Sequence, residues 1–151
     1  MQPMLSPHFA LAEFTASQTA ARLGIDNAPP PDIVENLRRT AEMLEDVRYM
    51  LGGKPILISS GYRCAALNAA VPGSSATSAH LTGKAADFVC PGAGSVRSIC
   101  IRIAGTPGFA FDQCIREFDS NGGGWVHLAW GDPLRRQLLT SDQMGTTEGI
   151  A

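Results

Sequence analysis

The chain contains three histidines, and two of them keep unusual company. His80 and Asp87 bracket small residues in Ser78-Ala-His-Leu-Thr-Gly-Lys-Ala-Ala-Asp87, and His127 follows in Trp125-Val-His127. The segment around Asp87 otherwise reads as core, where an ionised carboxylate without a partner is costly. A metal ion offsets that cost. Two histidines and one carboxylate make a three-ligand zinc set with one position left for water. Catalytic zinc sites have that form, whereas structural sites are usually closed by four protein ligands and favour cysteine. For either histidine taken alone, a hydrogen-bonded core residue is the competing reading, and the His80-to-Asp87 gap is by itself a weak signal.

Strand parity brings further groups to the same place. In Lys84–Cys90, Ala85, Asp87 and Val89 share a face, and in Trp125–Trp130, His127 shares one with Trp125 and Ala129. If Glu117 pairs with Trp125 across a hairpin, Gln113, Ile115 and Glu117 join that face. Glu117 then lies diagonal to His127, about 7–8 Å away at the backbone and within reach of a long side chain. One sheet face would present His127, Glu117, Gln113 and Asp87. A register slip of one residue would turn them all away.

The elements that must hold these groups can be read along the chain. Thr15-Ala-Ser-Gln18 fits a capping box for a short helix that Gly24 stops. Prolines 29–31 mark a turn. A helix then spans residues 31–50, with Ile33, Leu37, Ala41, Leu44, Val47 and Leu51 on one face and Gly52-Gly53 at its end. Residues 55–59 read as a short buried strand. Residues 61–83 are rich in Gly, Ser and Ala, with one helical turn near 65–70, and a loop of that length is usually functional. Residues 85–90 form a strand, and Ser95 caps a helix that Gly105 ends. Residues 111–117 and 125–130 are two strands joined by a Gly-rich loop. The fold class is α+β, with a small antiparallel sheet carrying the site and packed against helices. The domain occupies residues 1–135, and residues 136–151 are expected to be a flexible tail.

Composition bounds the function. The 151 residues suit one domain, and 44% are hydrophobic, which excludes disorder of the whole chain. The net charge of -2 argues against a broad electrostatic nucleic-acid binder. No apolar run approaches the roughly 18 residues of a membrane span. The first residues lack a basic stretch followed by an apolar one, so synthesis in the cytoplasm without a signal peptide is expected. None of the four cysteines is spaced as CxxC, which excludes a cysteine zinc knuckle and favours buried free thiols.

Taken together, these residues resemble a known family. Ser78-x-His80-x-x-Gly83-x-Ala85-x-Asp87 is similar to the SxHxxGxAxD motif of the zinc D-Ala-D-Ala carboxypeptidases (peptidase family M15), whose fold is shared with the Hedgehog signalling domain. Ser59-Ser-Gly-Tyr-Arg63 resembles the SGYR element before it, and Trp125-x-His127 the segment with the last ligand. His8-Phe-x-Leu-x-Glu-Phe14, followed by Asn27-x-Pro29, resembles the phage and prophage branch. The resemblance covers roughly residues 5–130. It implies one zinc ion on His80, Asp87 and His127. It implies that Arg63 binds a substrate carboxylate or carbonyl, a role its planar fork suits, although a loop salt bridge fits the residue equally. It implies that Ser78 touches substrate, against the alternative of a turn cap. Gln113 joins the substrate-binding set through its place on the shared face. Gly83 and Ala85 let the backbone pass close to the site.

Many members of that family carry Glu or Asp as general base three residues before the last histidine, where this chain has Gly124. The base then falls to Glu117, through strand parity and its comparable place in the phage-type branch. Asp119, in the flexible loop, is the alternate. A solvated strand-end charge is the competing reading of Glu117. His8 is assigned to structure. The implied function is a hydrolase of cell-wall degradation: a monomeric zinc metallopeptidase acting on peptidoglycan peptide stems, as carboxypeptidase or as endolysin-type endopeptidase after phage-type release. The alternative is a non-catalytic, zinc-stabilised cell-wall-binding or phage structural module, which Gly124 favours.

Overall fold

The computed structural model describes residues 2–151. In chain order the elements are β1 (Met4–Ser6), β2 (Phe9–Ala10), α1 (Leu11–Thr15), α2 (Gln18–Leu23), α3 (Pro31–Met50), β3 (Leu57–Ser60), α4 (Ala65–Ala70), β4 (Ala85–Val89), α5 (Val96–Ala104), β5 (Gln113–Glu117), β6 (Trp125–Ala129), β7 (Gln137–Asp142) and β8 (Gly145–Glu148). A 3-10 turn, Ala79–Thr82, precedes β4. The architecture is α+β. β1 and β2 make a small antiparallel pair, and the other six strands form one sheet in the order β3-β4-β6-β5-β7-β8.

The long helix forms where the apolar spacing places it. Pro31 sits at its first position, where a missing N–H costs nothing. Its stripe of Ile33, Leu37, Ala41, Leu44 and Val47 is buried, and Gly52 and Gly53 take positive φ just past its end. That stripe and the Ile99, Cys100 and Ile103 face of α5 meet Ala86, Phe88, Cys114, Val126 and Leu128 in one core. Those sheet residues alternate with Asp87, His127 and Ile115. One face of the sheet therefore belongs to the core and the other is free for chemistry.

Three features depart from the sequence reading. The cap of α2 is Ser17, whose Oγ accepts from Ala20 N at 3.1 Å, because α1 runs to Thr15 and uses that residue as helix. Strand β3 begins at Leu57, which is exposed, because β3 is an edge strand rather than a buried one. Residues 136–151 are not a loose tail. β7 pairs in parallel with β5, from Gln113–Gln137 to Glu117–Ser141, and β8 pairs back on β7. The polar sequence of these strands hid them, because only one of their faces meets the core, through Leu138. The cysteines are free, with Cys90, Cys100 and Cys114 buried and Cys64 half-buried.

A relay of hydrogen bonds locks the turn before β4. Trp130 Nε1 donates to Thr40 Oγ1 at 2.8 Å, and Thr40 Oγ1 donates to the Gly83 carbonyl at 2.6 Å. Gly83 has φ 71°, and a Cβ there would lie 3.0 Å from Leu37 Cγ. Both the backbone and the space demand glycine. We expect Gly83→Ala to destabilise the fold by more than about 1 kcal/mol, read as a lower urea midpoint. An unchanged midpoint would refute the close fit.

Candidate metal centre

Three separate elements deliver the ligand set. His80 lies in the 3-10 turn, where Ser78 Oγ accepts from its backbone N–H at 3.2 Å. Asp87 is the middle residue of β4, and His127 stands directly opposite it on β6. This register sets both on one face and directly opposite each other, and a slip of one residue would part them. His80 Nε2 is 3.2 Å and His127 Nδ1 2.9 Å from Asp87 Oδ1. All three residues are buried, and their ligand atoms lie within 4.8 Å of one another. The group could hold a metal ion.

The hydrogen-bond chemistry fits a metal. His80 Nδ1 lies 2.6 Å from the Gly61 carbonyl oxygen, which can only accept. That contact assigns the ring proton to Nδ1. Nε2 is left as a lone pair facing a carboxylate oxygen. Two acceptors at that distance repel unless the ring gains a second proton or a cation lies between them. A metal removes the conflict, and the Gly61 carbonyl is the kind of outer partner that orients a metal-binding histidine. Gly61 itself must be glycine, since a Cβ would stand 2.5 Å from the Phe14 carbonyl oxygen. At Asp87, burial alone would raise the carboxyl pKa. With no metal between them and the His80 ring carrying its second proton, attraction to His80 and hydrogen bonds from His127 and His80 overcome it and hold the group well below the usual carboxylate range.

Glu117 pairs with Trp125 across the β5–β6 ladder, and its Oε1 lies 3.9 Å from His127 Nδ1. Burial raises its pKa, the Asp87 charge adds to this, and His127 and Arg63 only partly offset it. Arg63 follows β3. Its Nε donates to Ser60 Oγ at 3.2 Å, its Nη1 to Asn68 Oδ1 at 3.4 Å, and its Nη2 sits 3.6 Å from Asp87 Oδ2. It is therefore both a salt-bridge partner of Asp87 and a wall of the cavity. That cavity has a volume of about 690 Å³ and is also lined by Ser78, Gln113 and Glu117. Ligand pockets commonly fall in this size range. A separate cavity of about 500 Å³ between α3 and residues 106–110 contains none of the three ligands.

One assignment from sequence changes here, and the Gly124 departure gains a physical reason. Asp119 does not line the metal cavity. Both of its carboxylate oxygens accept from Arg116 Nε, at 2.8 and 2.9 Å, and it lines a different cavity beside Val89 and Ser95. Gly124 cannot be replaced by an acid. Its φ is 84°, and a Cβ would stand 2.4 Å from the Glu117 carbonyl oxygen and 2.6 Å from Asp119 Cα. The chain closes that position with backbone and brings Glu117 to the histidine instead. His8 bonds Glu45 at 2.7 Å, away from the cavity.

Other contributors were not foreseen. Asn68 is buried and braces Arg63, and Asp112 binds Arg135 at the rim at 2.6 and 2.9 Å. Phe118, in a left-handed conformation with φ 53°, stacks 5.5 Å from Trp125 beside Glu117. A buried Asn inside an otherwise apolar helical turn was the one available signal. Thr146 lines the cavity from β8, and nothing local in sequence marks it.

A family model described as Peptidase M15 matches residues 7–120, a span that holds His80, Asp87, Arg63 and Glu117. No curated protein matches the chain.

Two outcomes test the centre. His80→Ala and Asp87→Ala should each abolish stoichiometric zinc binding in a titration with a chromophoric chelator, while the far-ultraviolet dichroism is retained. Undiminished binding in either variant would refute the ligand set. The depressed Asp87 pKa also predicts a pH effect in metal-free protein. A carboxyl whose folded pKa lies below its unfolded value contributes stability that is present above about pH 4 and is lost as pH falls further. Asp87→Asn should flatten that acid limb in urea titrations, and an unaltered limb would contradict the pairing.

Proposed function

Because the chain belongs to the peptidase M15 family, we propose that it is a zinc-dependent metallopeptidase that hydrolyses the peptide stems of bacterial peptidoglycan, either as a D-Ala-D-Ala carboxypeptidase or as an endolysin-type endopeptidase. The family supports a metallopeptidase with peptidoglycan as its general substrate. One observation carries the reading for this chain: His80, Asp87 and His127 converge on a cavity wall with the Glu117 carboxylate 3.9 Å from His127. No helix of the described residues is long and apolar enough to cross a membrane.

Zinc held by His80 Nε2, Asp87 and His127 Nδ1 would supply Lewis-acid activation of water and of the scissile carbonyl. Glu117 is the general base in this reading. A carboxyl made more basic by burial is better matched to taking a proton from the attacking water and returning it to the leaving amine. Arg63, fixed by Ser60 and Asn68, presents its guanidinium to a substrate carboxylate or carbonyl. Ser78 and Gln113 line the same cavity and offer uncharged hydrogen-bonding groups to the peptide.

The competing reading, a zinc-stabilised module that holds cell wall without cutting it, drew its support from Gly124. The close approach of Gly124 to the Glu117 backbone weakens that support, since it accounts for the missing acid and leaves another carboxylate beside the histidine. The readings separate on turnover. Mass spectrometry of peptidoglycan fragments treated with zinc-loaded protein should reveal a product that a chelator suppresses, and its mass names the bond. Zinc retention with no product would favour the binding module. Glu117→Gln should keep zinc and lose roughly 10²–10⁴-fold in kcat. Full turnover in that variant would exclude Glu117 as the base.

A further inference from the structure

The sheet does not end at the metal site. The register aligns Asp87, His127, Ile115, Leu139 and Glu148 in one row across β4, β6, β5, β7 and β8. These residues share the face of the metal ligands, because directly paired residues point the same way. The row has an apolar floor, Ile115 and Leu139, and polar flanks. On one side Gln113 Nε2 donates to Gln137 Oε1 at 2.9 Å. This leaves the Gln113 carbonyl and the Gln137 amino group unpaired with each other, one acceptor and one donor, which is the complement of a peptide group. On the other side Ser141 Oγ and Thr146 Oγ1 lie 3.0 Å apart. Gln113 and Thr146 line the same cavity as the ligands, so this surface is continuous with it. β8 is exposed along its length.

The platform is one-sided. Beyond Asp87 only β3 remains, and there Arg63 and the loop before His80 bound the cavity. Beyond His127 lie three more strands, a distance of about 14 Å at the usual strand spacing. An extended peptide covers that distance in about four residues. The exposed Glu148 carboxylate stands at the far end.

We propose that the β7–β8 hairpin is a substrate platform. The acyl side of the peptide crosses the sheet along Ile115 and Leu139, and Glu148 selects an amine-bearing residue about three to four positions from the cleaved bond. The assignment rests on the peptidase reading, with Arg63 on the leaving-group side. The floor favours small or apolar residues near the cleaved bond, and Glu148 sets the preferred charge at the distant end.

The test uses zinc-loaded protein and reduced-amide peptides that cannot be cleaved, followed by titration calorimetry. Affinity should rise about tenfold as the acyl side grows from one to four residues. With four residues, a terminal lysine should bind about fivefold more tightly than norleucine, and Glu148→Gln should erase that preference without changing norleucine affinity. The lysine preference should also shrink at high salt. Affinity that is flat with length, no measurable binding, or a lysine preference that survives Glu148→Gln would overturn the platform. Cleavable versions of the same peptides separate this proposal from its premise. Length-dependent binding without hydrolysis would refute the peptidase reading and leave the platform standing.

Discussion

The Asp87 carboxylate, buried between two imidazoles, is the constraint on which the rest of this structure depends. A buried ionised carboxylate is tolerated only when it is paired and hydrogen-bonded. Here His80, His127 and Arg63 all lie within 3.6 Å of its two oxygens. Each of these partners comes from a different part of the chain, so the requirement reaches outward. It sets the β4–β6 register, the 3-10 turn that presents His80, and the bracing of Arg63 by Ser60 and Asn68. The Gly61 carbonyl extends it to α1, because Gly61 packs against the backbone of Phe14. A charge that must be satisfied thus organises two strands, a turn and a helix.

Much of this is legible in the amino-acid sequence. The 3.6-residue period of residues 31–50 marks α3 because its buried face is apolar except for Thr40. The period of two in residues 85–90 and 125–130 assigns Asp87 and His127 to one sheet face, and the assumed Glu117–Trp125 pairing is the one that forms. These inferences work because side-chain direction alternates rigidly along a strand, so a short apolar pattern carries three-dimensional information. The separation of Asp119 from Glu117 was not legible. It depends on an ion pair to Arg116 three residues away, and both residues carry the right charge for either outcome.

The strands β7 and β8 were also hidden, for a different reason. Their stability comes from pairing with β5, which is distant in sequence, and their own residues are mostly polar with only a partial core face. Local pattern carries little weight where a strand is recruited by a free edge. The same applies to Gly124. Its lack of a side chain looked like a missing acid, whereas its left-handed backbone and contact with Glu117 show a position filled by main chain. A motif compares residue types and cannot register that main chain fills one position while a carboxylate stands beside the histidine from the neighbouring strand.

The parallel pairing of β7 with β5 makes β5 an interior strand, hydrogen-bonded on both sides. Were residues 137–148 removed, β5 would become the border of the sheet. Its backbone N–H and C=O groups would face solvent as a template for pairing with another chain. The strand that carries Glu117 would then be free to fray or to recruit a neighbour. Seen this way, the hairpin is a selvedge: it moves the border of the sheet off the strand that carries Glu117 and onto the exposed, polar β8.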